Sequence, residues 1–124
     1  MKRFVFLACL LALAATTSPV KKQADGTVTI NTTTLKADEG CFGPTPVIIC
    51  LDAQERVSRI EALPNAETPS YWTLVMEKLS TAWNGVPASE AASLEVDAVS
   101  GATYSSEGLI SNVRSGIIYY LQSK

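Results

Sequence analysis

Four serine and threonine hydroxyls lie within seven consecutive positions of this 124-residue chain: Ser100, Thr103, Ser105 and Ser106. Residues 96–99 are predicted to be extended and a helix is predicted from Ser105, so Gly101 falls in the turn between them. A glycine has no Cβ to keep an anion from the backbone, and the free N–H groups at a helix start bind phosphate. No lysine follows the glycine, which excludes a Walker-type nucleotide loop. A simpler interpretation is that the hydroxyls only cap the helix.

Five positions of this segment resemble the flavinylation motif Asp-x-x-Ser/Thr-Gly-Ala-Thr: Asp97, Ser100, Gly101, Ala102 and Thr103. The motif belongs to the FMN-binding domain family, whose members include flavin-carrying components of the sodium-translocating NADH:quinone reductase and of the Rnf electron-transport complex, and small exported domains. The resemblance implies that Thr103 carries FMN through a phosphoester on its hydroxyl. Tyr104 and Ser105, which follow directly, are expected at the same site.

A second segment, Glu67-Thr68-Pro69-Ser70-Tyr71, resembles the Glu-Thr-Pro-Gly-Tyr stretch that lies near the flavin ring in this family. Ser70 stands where the family has glycine, and a glycine would let the backbone come closer to the flavin ring. Tyr71 could face the ring or belong to an apolar helix face with Leu74, Val75, Leu79 and Trp83. Trp72 lies off that face, which predicts either a solvent-facing ring or a ligand wall. The loop around Cys41-Phe42-Gly43-Pro44 resembles the family's Gly-aromatic-Gly-Gly-Pro turn in part.

The resemblance implies a flavin-carrying redox module more than a complete enzyme. Its threonine would be the substrate of a separate flavin transferase that uses FAD and a divalent metal. The bound FMN would relay electrons to a membrane or extracytoplasmic redox partner. The alternatives are reversible FMN binding and an exported structural or interaction domain without flavin. A serine hydrolase is disfavoured, because the chain has no histidine and neither a Gly-x-Ser-x-Gly nor a Ser-x-x-Lys pattern accompanies the clustered serines.

The N-terminus is predicted to be a signal peptide over residues 1–15. Lys2 and Arg3 precede twelve apolar residues, 4–15, and Ala12-Leu13-Ala14 fits a cleavage site. We therefore expect an exported protein, periplasmic or on the extracytoplasmic face of the membrane. A retained N-terminal anchor is the alternative. A flexible segment is predicted over 16–26 and the FMN-binding domain over 27–124.

Composition narrows the possible functions further. Without the leader the chain carries 8 Lys and Arg against 12 Asp and Glu, a net charge of −4, which argues against nucleic acid as a partner. The absence of histidine and the cysteine spacing suggest no metal site. Cys41 and Cys50 could form a disulfide in an exported protein, or Cys50 could be a small buried residue of a strand.

The pattern of apolar residues predicts an α+β fold, with an antiparallel sheet packed against two main helices. Strands are predicted over 27–36 and 47–51. Val57, Ile60 and Leu63 recur every three residues and suggest a helix, but the family resemblance favours a strand and a hairpin. One helix is predicted from Pro69 to a C-cap at Asn84-Gly85, and another from about Ser105 to the C-terminus. Residues 86–94 are predicted to be a loop or a short helical piece.

Overall fold

A four-stranded antiparallel sheet forms one layer of the computed structural model, which describes residues 18–124. Its strands are β1 (Val20–Lys22), β2 (Val28–Asn31), β3 (Val47–Leu51) and β4 (Val57–Ala62), and they pair in that order. Three helices follow: α1 (Pro69–Leu79), α2 (Ala88–Ala91) and α3 (Thr103–Ser123). The predicted α+β class is confirmed. The predicted signal peptide, 1–15, lies outside the described residues.

One face of the sheet is apolar and carries the core. Val28 and Ile30 of β2 and Val47, Ile49 and Leu51 of β3 are buried, while Ile48 and Cys50 alternate with them on the opposite face. Helix α3 lies against the buried face. A Cβ added to Gly116 would stand 2.6 Å from Ile49 Cδ1 and 2.9 Å from Thr32 Cγ2, so this glycine permits the close approach of helix and sheet.

The hairpin predicted between β3 and β4 is confirmed, and its register explains the helix-like spacing in the sequence. Leu51 pairs with Val57 and Cys50 pairs with Arg59, so Ser58 is an extra residue in β4. This bulge shifts the alternation, and the two buried residues of the strand, Val57 and Ile60, stand three positions apart. The bulge therefore gives the buried residues of this strand the spacing that is typical of a helix.

Helix α1 buries a different aromatic residue from the one that the sequence suggested. Trp72, Val75 and Leu79 form its buried face, while Tyr71 is exposed. The interpretation of Trp72 as a solvent-facing ring or ligand wall is wrong, and of the two alternatives for Tyr71 the structure contradicts the core face. The two residues are adjacent, and a helix turns by about 100° per residue, so the face was misplaced by one position.

The ends of several elements also differ from prediction. Val20–Lys22, within the segment predicted to be flexible, forms the edge strand β1 and pairs with β2. Strand β2 ends at Asn31 rather than 36, α1 ends at Leu79 before the predicted C-cap, and residues 96–99 belong to no strand. The short helical piece expected after Val86 is α2. Within residues 18–124 no helix has the length and apolarity that a membrane span requires.

Candidate functional site

The turn before α3 is stabilised by a buried serine. Ser106 Oγ donates to the carbonyl of Ala102 at 2.7 Å and accepts the N–H of Val99 at 2.9 Å. The Ala102 N–H also donates to Val99 O at 2.9 Å, which closes the turn. Gly101 has φ +85°, a left-handed conformation that favours glycine. The conformation of this turn therefore depends on both Gly101 and Ser106.

Helix α3 begins with exposed polar groups. Ala102 is the N-cap and makes no side-chain cap, so the interpretation that these hydroxyls simply cap the helix is wrong. The first bond into the helix runs from the Ser106 N–H to Ala102 O at 3.0 Å. The N–H groups of residues 103–105 precede that bond and point out of the helix end. Thr103 and Tyr104 are exposed beside them. This arrangement suits an anion held by backbone N–H groups next to a free hydroxyl.

Glu67 is buried and joins three parts of the chain. Its Oε1 accepts the hydroxyl of Ser105 at 2.5 Å and the N–H of Cys41 at 2.8 Å, and its Oε2 accepts the N–H of Phe42 at 2.7 Å. Only 5% of the residue is exposed. Burial raises the pKa of Glu67, but the hydrogen bonds from Ser105, Phe42 and Cys41 together lower it more, so its pKa lies below the usual range. Glu67 is therefore an ionised structural bridge.

Two glycines let the chain pass close to this bridge. A Cβ on Gly40 would stand 2.5 Å from Glu67 Oε1. A Cβ on Gly108 would stand 2.6 Å from Thr45 Oγ1 and 2.9 Å from the backbone N of Gly40. Any larger residue at either position requires the backbone or the carboxylate to move.

Residues 36–42, here called the strap loop, run along α3. Ser115 Oγ donates to the carbonyl of Lys36 at 2.8 Å, and Ser111 Oγ accepts the N–H of Asp38 at 2.8 Å. Gly40 lies against Gly108 one turn nearer the helix start, and Cys41 and Phe42 end the loop at Glu67. The polar and small residues of one α3 face thus fix the loop turn by turn.

Deeper in the molecule a buried polar network supports the same loop. The Asn112 side chain accepts the Thr32 hydroxyl at 2.8 Å through Oδ1, and its Nδ2 donates to Gly108 O at 2.9 Å and to Thr45 Oγ1 at 3.3 Å. An open pocket of about 520 Å³ lies beside it, lined partly by the strap loop and Ser111. Among residues 18–124 no group of three or more His, Cys, Asp or Glu side chains could hold a metal ion.

The structure places the residues predicted from sequence at two helix starts. One group lies at the turn and first turn of α3: Asp97, Ser100, Gly101, Ala102, Thr103, Tyr104 and Ser105. The other lies at the start of α1: Glu67, Thr68, Pro69, Ser70 and Tyr71. Glu67 and Ser105 join the two groups directly. The side chains of Asp97 and Ser100 are exposed, whereas Ala102 and Ser105 are buried.

Sequence reasoning missed several residues of this site. The backbone N–H groups of Cys41 and Phe42 hold Glu67, and Gly40 and Gly108 give them room. The glycine inside the helical pattern at 108 was a usable signal, because a glycine there costs stability unless a close contact requires it. Backbone donors leave no mark in the sequence, so the partners of Glu67 could not be found that way.

Comparison with known proteins points to one family. The family model described as FMN-binding domain matches residues 40–117, which is more than half of the chain and includes both helix starts and the strap loop from Gly40. No curated protein matches the chain.

Proposed function

The chain belongs to the FMN-binding domain family and uses FMN as its cofactor, and on that premise we propose that it is an exported electron-transfer module with FMN esterified to Thr103. One observation carries the proposal. Thr103 is exposed at the first position of α3, directly after the Gly101 turn, in the match to the flavinylation motif.

The residues at the two helix starts fit FMN. The N–H groups of residues 103–105 suit its phosphate. A Cβ on Gly101 would meet no atom within 4 Å, so the space beside the turn is open to a bulky substituent. The exposed rings of Tyr71 and Tyr104 offer aromatic faces for a planar group. When bound, FMN supplies one- and two-electron chemistry, and the protein supplies position and electrostatics.

The chain's own part in attachment is to present an oxygen. A threonine hydroxyl is a weak nucleophile and needs a base to remove its proton. Glu67 does not suit that task, because its oxygens already accept three hydrogen bonds and its pKa is lowered. We therefore propose that a separate flavin transferase supplies the base and the divalent metal. In that reaction the Thr103 Oγ–phosphorus bond forms, the FAD pyrophosphate bond breaks, and AMP leaves.

Mass spectrometry of the protein co-expressed with a flavin transferase tests the attachment. We expect an FMN adduct on the tryptic peptide that contains Thr103, its loss in Thr103→Val, and its retention in Thr103→Ser, which keeps the hydroxyl. Thr73→Val is the matched control, since Thr73 is an exposed threonine on α1. An adduct that survives in Thr103→Val contradicts the assignment. Yellow colour that is lost on acid precipitation, with no adduct, favours reversible binding.

Export and the redox partner are parts of the same proposal. The basic residues and apolar run at positions 2–15 support secretion, with cleavage near Ala15 or Thr16. A carrier outside the cytoplasm suits a membrane or extracytoplasmic redox partner. Sequencing the N-terminus of protein recovered from a secreting bacterial host tests this cleavage, and an intact Met1 or a lipid-modified Cys9 rejects it.

A further inference from the structure

Three exposed aromatic residues belong to the chain segments that Glu67 joins. Among residues 18–124 four large apolar side chains are strongly exposed, and three of them are aromatic: Phe42 at 61%, Tyr71 at 52% and Tyr104 at 66%. The fourth, Ile118, lies on α3 about four turns past Thr103. Phenylalanine is most often buried in folded proteins, and Phe42 is one of the exceptions.

The Glu67 carboxylate links the backbone of Phe42 to the first turn of α3. Phe42 donates its N–H to Oε2, while Ser105, the neighbour of Tyr104, donates to Oε1. Tyr71 follows Glu67 by four residues, in the first turn of α1. The backbone of Phe42 therefore lies close to the helix start that carries Thr103, and Tyr71 and Tyr104 belong to the two helix starts that Glu67 joins.

The backbone of Phe42 is held in place although its side chain is exposed. Its N–H is fixed by Glu67, and the preceding strap loop is fixed to α3 by the Asp38–Ser111 bond and the Gly40–Gly108 contact. An exposed ring on a fixed backbone is available to contact a bound ligand.

We propose that Phe42 packs on the FMN ring and that Glu67 is the positioning residue that holds it there. The inference rests on the proposed attachment at Thr103 and names two residues that act on the attached group. A phosphoester at Thr103 would tether the flavin near Phe42, because the Phe42 N–H and the Ser105 hydroxyl bind the same carboxylate. Phe42 provides an apolar edge or face for the planar ring.

A carboxylate is the side chain that this positioning requires. The chain presents donors to both of its oxygens: Ser105 and Cys41 to Oε1, and Phe42 to Oε2. A glutamine has nearly the same shape, but its NH₂ group must face a backbone N–H on one side or the other. In the Glu67→Gln variant at least one of these hydrogen bonds is therefore lost, while the volume of the side chain stays nearly the same.

Quenching of FMN fluorescence by an introduced tryptophan tests the position of Phe42. A tryptophan in contact with a flavin quenches its emission, so Phe42→Trp in the flavinylated protein should lower FMN emission several-fold. Ile118→Trp is the control, because its site is exposed on α3 far from Thr103. Both variants are made with Tyr71→Phe and Tyr104→Phe, which removes quenching by these tyrosines. Adding Glu67→Gln to the Phe42→Trp protein should restore part of the emission, and adding Glu77→Gln, an exposed change on α1, should not.

The outcomes separate the two proposals. Equal emission from the Phe42→Trp and Ile118→Trp proteins, with the adduct present in both, overturns the Phe42 assignment alone. Quenching that Glu67→Gln leaves unchanged overturns the role of Glu67. The absence of adduct from every variant overturns both the attachment at Thr103 and the inference that rests on it.

Discussion

Ser105 donates its hydroxyl hydrogen to the Glu67 carboxylate at 2.5 Å, so two residues 38 positions apart join the first turn of α3 to the loop that precedes α1. The two segments that resemble the family's motifs thus meet through one hydrogen bond. The same carboxylate holds the strap loop, which makes Glu67 the common support of three backbone segments.

Glu67→Gln should destabilise the fold. One buried N–H or O–H loses its acceptor, which costs about 1–3 kcal/mol. Chemical denaturation of the protein without flavin measures the change in the free energy of unfolding. Glu77→Gln removes a charge from an exposed position and should change it by less than about 0.5 kcal/mol. Equal stability of the wild type and Glu67→Gln would contradict the bridging role.

The same carboxylate should contribute to the acid sensitivity of the fold. The pKa of Glu67 is lower in the folded chain than its ordinary value of 4.5, so its stabilising effect is present above pH 4.5. The effect is lost as the pH falls from 4.5 through the lowered folded pKa. Unfolding free energies of the wild type and Glu67→Gln should therefore converge below pH 4.5, and a constant difference across that range would contradict the linkage.

Gly108→Ala should destabilise the protein, although alanine stabilises most helices by about 1 kcal/mol relative to glycine. The added Cβ would stand 2.6 Å from Thr45 Oγ1 and 2.9 Å from Gly40 N, and crowding of this kind costs about 1–3 kcal/mol. Thermal unfolding measures the sign. Gln122→Ala, at an exposed position of α3, is the control and should be nearly neutral. A stabilised Gly108→Ala protein would show that the strap loop does not lie against the helix.

The sequence predicted the class of fold because alternating and helical apolar patterns reflect burial directly. Strand β4 does not alternate regularly, because the bulge at Ser58 places its two buried residues three positions apart. Trp72 was misplaced because two large aromatic residues stand side by side at the start of α1, and either could begin the buried face. β1 was missed because its short Val20–Lys22 segment is an edge strand with little burial to mark it.

The parts of the candidate site that side chains form could be predicted from the sequence. The parts that backbone groups form could not. The segment Asp97 to Thr103 and the Glu67 to Tyr71 stretch were chosen from residue types, and the structure places them at two adjoining helix starts. The contacts of Glu67 with Cys41 and Phe42 use main-chain N–H groups, which every residue except proline has. Their pairing depends on how the strap loop lies on α3, and only the tertiary structure shows that.

Tyr120 should stabilise the end of α3 up to alkaline pH. Its hydroxyl donates to Glu55 Oε2, while Lys124 Nζ lies 3.0 Å from Glu55 Oε1. Burial, followed by the hydrogen bond to Glu55 and its charge, raises the pKa of Tyr120 from 10.0 to about 12. The stabilising effect is complete below pH 10 and is lost as the pH rises towards about 12. The free energies of unfolding of the wild type and Tyr120→Phe should differ below pH 10 and converge above it, and parallel profiles would contradict the contact.

The two cysteines of the domain should remain free thiols. Both are free in the structure. Cys50 lies on the sheet face opposite the helices, whereas Cys41 bonds Glu67 beside α3, so a disulfide would require the backbone to move. We expect a thiol reagent to modify the exposed Cys41 of the native protein first and the half-buried Cys50 more slowly. Cys41→Ser should remove the fast phase and leave the slow one. Two unreactive cysteines that reductant restores, with a mass lower by two hydrogens, would instead show the disulfide.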